Sequence, residues 1–139
     1  MNEPNSPFIH VGEISKVIAE EAGISKGKIY VSIKQLQHIA GKHETEINQI
    51  GMKVLDYIRF VCQNFNQIRK AANSSVLLVV YSEKLSNTAA IDLNFALDMK
   101  KGFWEIKTAE ARRFSSIKNK TLIWEAAKHT SNGRRYRPN

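Results

Sequence analysis

The hydrophobic period changes once along this chain, and the change dictates the order of its elements. From Ile33 to Val61 the apolar residues Ile33, Leu36, Ala40, Ile47, Ile50, Val54, Ile58 and Val61 follow one another at steps of three or four, the spacing of a helix face. After Asn64 the period falls to two, the spacing of a strand. Helices followed by consecutive strands predict an α+β fold, with N-terminal helices packed on one face of a mainly antiparallel sheet of about four strands.

Local signals divide these stretches further. Glu13–Ala22 has helical spacing and Gly23 is placed to end it, while Lys28–Val31 favours a short strand. Ser32 is a cap for the helix that follows. The missing position in the long stripe is His43. With Gly41 beside it and Thr45 able to cap, two helices are predicted, parted near Gly41.

Ile68–Ala72 reads as a short strand, Asn73-Ser74 as a tight turn, and Val76–Tyr81 as a strand buried on both faces. Ser82–Thr88 reads as a polar loop. Ala90–Asp98 alternates, with Ile91, Leu93, Phe95 and Leu97 on one face, and Lys100-Lys101-Gly102 is hairpin-turn chemistry. Phe103–Thr108 alternates again, so Trp104, Ile106 and Thr108 are expected to share a face. Thr121–Trp124 is a last short strand. Residues 1–7 and 127–139 are expected to be disordered, leaving 8–126 as one folded domain.

Charge narrows the function. Residues 1–99 carry ten basic and ten acidic side chains, whereas residues 100–139 carry eleven and three, so the whole net charge of +8 belongs to the last segment. A local positive field draws polyanions, and nucleic acid is the expected partner. No apolar run approaches the roughly 18 residues of a membrane span and no secretory h-region opens the chain, so no membrane association and a cytoplasmic location are expected. Cys62, the one cysteine, excludes an internal disulfide and reads as a buried, inert thiol. Phosphate-loop, dinucleotide, zinc-hydrolase and nucleophile-elbow motifs are absent, and no residues cluster at metal-ligand spacing, so neither cofactor nor metal is expected.

The residues that could carry chemistry follow from this. His43 lies in the apolar stripe and would face the sheet, where an imidazole suits proton transfer near neutral pH. His38 and Lys42 share the helix face away from that stripe. Thr108 ends a strand, and Arg112, Arg113, Lys118 and Lys120 follow it with phosphate-binding donors. Trp104, Phe103 and Tyr81 could stack on bases, and Arg134, Arg135 and Arg137 would add cations from the tail.

The runs IYVSIKQLQHIAGKH (Ile29–His43), QNFNQIRKA (Gln63–Ala72), GFWEIKTAEARRF (Gly102–Phe114) and NKTLIW (Asn119–Trp124) resemble phage and mobile-element nuclease-like domains of the barnase–EndoU–colicin–RelE superfamily, over roughly Lys28 to Trp124. The resemblance implies a helix pair on a four-stranded antiparallel sheet and metal-independent RNA cleavage. In that chemistry the 2′-hydroxyl attacks phosphorus and leaves a 2′,3′-cyclic phosphate. It assigns His43 and His38 to the family's helical histidines, and Thr108 to its strand-end hydroxyl. Arg112 and Lys42 would stabilise charge in such a toxin-like ribonuclease, delivered into a target cell by a larger system. Its substrate would be tRNA, rRNA or mRNA and its partner an immunity or antitoxin protein. Two other readings stand beside it: a non-catalytic RNA- or DNA-binding domain using the basic C-terminal segment, and an interaction protein whose basic tail meets an acidic partner.

Overall fold

Ser32 closes a strand and opens a helix, its hydroxyl accepting from the Gln35 amide at 3.0 Å, and the rest of the architecture hangs from that junction. The computed structural model describes residues 8–94 and 102–126. The elements run β1 (Phe8–Ile14), α1 (Lys16–Ala22), β2 (Gly27–Ser32), α2 (Ile33–Gln49), α3 (Val54–Asn64), β3 (Gln67–Lys70), β4 (Val76–Val80), β5 (Leu85–Asn94), β6 (Phe103–Arg113) and β7 (Leu122–Glu125). A 3-10 turn at Phe114–Ser116 opens the link from β6 to β7.

The sheet corrects the expected fold. It has seven strands in the order β1-β2-β6-β5-β4-β3-β7, not about four, and it is mixed because β2 and β6 run parallel. The four-stranded antiparallel sheet implied by the family resemblance is therefore not the one this chain forms. Strand β1 escaped the sequence reading because it is bulged: the register slips between His10 and Gly12, so Val11 and Ile14 are both buried at a spacing of three. That spacing imitates a helix, which is why Glu13–Ala22 has helical periodicity although the helix begins only at Lys16. Gly23 ends it as expected, at φ 73°.

The long stripe also resolves differently. Helix α2 runs unbroken through Gly41 and Thr45, and the chain turns at Gly51, whose φ is 84°. One glycine costs a helix about 1 kcal/mol, which the buried Ile39 and Ile47 on either side outweigh. Ser82–Thr88 is not all loop, since β5 starts at Leu85. Ser86 and Thr88 are buried there with their hydroxyls spent on backbone: Ser86 Oγ donates to the Ser82 carbonyl at 3.0 Å and Thr88 Oγ1 to the Glu110 carbonyl at 2.7 Å. The expected strands at Ile68–Ala72 and Thr121–Trp124 match β3 and β7 in place, and Asn73 turns the chain at φ 58°.

Three helices and one sheet face enclose the main core, which includes Ile29, Ile39, Ile47, Tyr57, Ile58, Val61, Leu78, Ile91, Trp104 and Ile106. Trp124 anchors α1 to β7, its indole N–H donating to Glu21 Oε1 at 2.7 Å. The opposite, outer sheet face carries a second, smaller cluster in which Ile117 covers Leu77 and Val79 beside Phe114 and Tyr81. Alternate residues of β4 thus enter different cores, which is why Val76–Val80 reads as a continuous apolar run. No helix among the described residues is long and apolar enough to cross a membrane.

Candidate nucleic-acid interface

The outer face is divided by what lies on it. Residues 114–121 form a strap over the β3–β4–β5 half. Phe114 meets the Tyr81 ring edge-on at 5.0 Å, and Arg69 on β3 holds the strap by donating to the carbonyls of Lys118 at 3.4 Å and Lys120 at 2.8 Å. The β1–β2–β6 half carries aromatic rings that belong to neither core cluster. There Phe8, Tyr30 and Phe103 pack edge to face, with centroids 6.3 Å apart for Phe8–Tyr30, 5.6 Å for Phe8–Phe103 and 5.5 Å for Tyr30–Phe103. His10 lies 5.5 Å from Tyr30.

Strand alternation puts these rings together. Tyr30 pairs across from His10 and from Glu105, so all three point away from the helices, as does Phe103 two residues before Glu105. Two acids of this face are engaged, while exposed Glu13 stands across from Lys28. Glu105 Oε1 accepts from the Asn94 amide at 3.0 Å, and Asp92 accepts from the Ser75 hydroxyl with Lys107 Nζ at 3.9 Å. Exposed Lys28 and Lys107 supply positive charge to the same region, and half-buried Arg112 lies at the far end of β6, across from Ser86.

The predicted site residues scatter over this frame. His43 does face the sheet, between Ile39 and Ile47 on α2. Its side chain is 13% exposed and its Nδ1 lies 2.9 Å from Glu46 Oε1. Below it in the helix–sheet layer, the buried Tyr57 hydroxyl donates to Asn87 Oδ1 at 3.1 Å. Burial holds the Tyr57 phenol above its ordinary range, and Glu46 and Glu110 add to this against a hydrogen bond with the Thr88 backbone. His38 and Lys42 are exposed elsewhere on α2.

Thr108 is not on the face of Trp104 and Ile106. Lys107 is bulged, so Ile106 pairs with Ile91 but Thr108 with Ala90, and the extra residue turns Thr108 to the outer side. Arg112 pairs with Ser86 and shares that side. The sheet itself therefore stands between His43 and the pair Thr108 and Arg112, and the three do not converge.

Trp104 is a core residue whose indole N–H donates to the Ser25 carbonyl at 3.0 Å. Arg113 and Lys118 are exposed and Lys120 half-buried, at the end of β6 and on the strap. Arg134, Arg135 and Arg137 lie outside the described residues, as do Phe95, Leu97, the Lys100-Lys101 turn and both segments expected to be disordered.

Sequence reasoning missed Phe8, His10, Tyr30 and Arg69. Tyr30 had a signal, a ring at the polar position between Ile29 and Val31. Phe8 had none, because the bulge hid its strand. Among the described residues no three His, Cys, Asp or Glu side chains group around a metal position. No protein-family model, no curated protein and no solved structure matches the chain.

Proposed function

We propose that this chain binds single-stranded nucleic acid on the outer face of its sheet and does not cleave it. The observation that carries this is the ring group of half-buried Phe8 and Phe103 packed around buried Tyr30, in neither core cluster and flanked by His10, Lys28 and Lys107. Bases offer π-faces that stack on such rings whatever their identity, and the surrounding cations meet the backbone. The chain's +8 charge, concentrated from Lys100 onward, raises the local concentration of a polyanion.

Fluorescence anisotropy with a labelled oligonucleotide of roughly 10 nucleotides tests the reading, with RNA and DNA of one sequence as parallel arms. Affinity should fall as salt rises, with a log–log slope near −0.7 per phosphate neutralised. Absence of binding at low salt would refute it.

A cleavage reading keeps one observation in its favour: the shielded His43 imidazole is oriented by Glu46 at 2.9 Å, as a general base needs. Its test is incubation of the same RNA in EDTA. Products ending in a 2′,3′-cyclic phosphate, lost in His43→Ala, would establish cleavage over simple binding.

A further inference from the structure

Among the described residues Arg69 is the one charged side chain that is buried, at 7% exposure, and no carboxylate pairs with it; the ion pairs present there are His43–Glu46 and Lys107–Asp92. Its guanidinium is instead surrounded by weaker compensation. Nε donates to Gln67 Oε1 at 3.0 Å, one terminal nitrogen donates to the Lys118 and Lys120 carbonyls, and the group lies 5.5 Å from the centre of the Phe114 ring. The nearest acid in this network is one relay away, since Gln67 donates through its amide to Glu125 Oε2 at 2.9 Å. The second terminal nitrogen keeps two N–H groups without a partner among the described residues. A buried charge that is neither neutralised nor fully hydrogen-bonded is costly, and an oxyanion oxygen would both accept from a free N–H and neutralise the charge.

We infer that Arg69 forms the floor of a phosphate-binding site on the strapped half of the outer face, with Lys118 and Lys120 as its cationic rim. The two carbonyls that Arg69 holds belong to those two lysines, so the residue that supplies the free N–H donors also fixes the backbone of the rim. The ligand is a phosphate group, from a nucleic-acid backbone or free in solution. The site rests on the function proposed above only for the backbone as its source.

The test uses the intact chain and follows the arginine side-chain N–H resonances by NMR during titration with inorganic phosphate, against chloride at equal ionic strength. Arg69→Lys assigns the resonance. The expected result is a saturable, phosphate-specific shift of the Arg69 signal, with affinity weakened roughly tenfold or more in a Lys118→Ala, Lys120→Ala double variant. That double variant leaves the Arg69 bonds to backbone in place, so it decides the matter even if Arg69→Lys does not fold. An unmoved Arg69 signal, or unchanged affinity in the double variant, overturns the site. A labelled-free oligonucleotide that moves the same signal identifies the backbone as the source. Phosphate binding without oligonucleotide binding supports the site and removes the nucleic-acid reading. Oligonucleotide binding that leaves Arg69 unmoved, while inorganic phosphate moves it, supports the site with free phosphate as its source and leaves the nucleic-acid reading standing.

Discussion

Gly12 on β1 and Cys62 on α3 approach so closely that a β-carbon at residue 12 would stand 2.8 Å from the Cys62 β-carbon and 2.9 Å from its carbonyl oxygen. The obstacle is largely backbone, which no rotamer change relieves. Gly12→Ala should therefore destabilise the fold by about 1–3 kcal/mol, read from urea unfolding. Adding Cys62→Ala should not restore the loss, because alanine keeps the β-carbon and the carbonyl; recovery in the double variant would show that the thiol alone was the obstruction.

Burial in the same contact pushes the Cys62 thiol up from 9.0 to about 12. The folded chain holds this proton more tightly than the unfolded one, so the contribution is complete below pH 9 and is lost as pH rises from 9 towards 12. The limiting slope is about 1.4 kcal/mol per pH unit. The difference in unfolding free energy between the parent and Cys62→Ala should change by that slope across the window and stay flat below it. The thiol should also resist alkylation until the chain unfolds.

Two glycines of the helical region should respond with opposite signs. Gly41 lies inside α2 with nothing within 4 Å of a new β-carbon, so Gly41→Ala should stabilise by about 0.5–1 kcal/mol. Gly51 turns the chain at φ 84°, where a β-carbon strains the backbone, and Gly51→Ala should cost about 1–2 kcal/mol. Thermal unfolding of the two variants checks both.

Phe103 and Trp104 are neighbours with different duties. Phe103→Ala should leave the fold intact and weaken oligonucleotide binding by about 1–3 kcal/mol, roughly 5- to 150-fold in Kd. Trp104→Ala removes a buried ring and its bond to the Ser25 carbonyl, and should cost about 3–5 kcal/mol of stability. Equal binding by Phe103→Ala and the parent would discard the ring platform.

Local chemistry was readable wherever a residue acts on its near neighbours. The Ser32 cap, the Gly23 stop, the Asn73 turn, the inward placing of His43 between Ile39 and Ile47, and the doubly buried β4 all depend on spacing within a few residues. Each of the failures came from a feature that spacing cannot express. The bulges at Val11 and Lys107 add a residue and reverse the pattern beyond it, which concealed β1 and misassigned Thr108. Gly41 carries a real helix cost that tertiary burial on both sides overrides.

What the amino-acid order determined on its own was therefore element type away from β1 and the start of β5, the helical side of the core, and a charge excess that begins at Lys100. Only the tertiary structure decided that seven strands join one mixed sheet, that β2 lies beside β6, and that Phe8, Tyr30 and Phe103 meet on its outer face. The reason is range. Dihedral preference and hydrophobic period are set within a turn or a strand, whereas the parallel β2–β6 pairing joins residues more than 70 positions apart, through a free energy spread over the whole packed core.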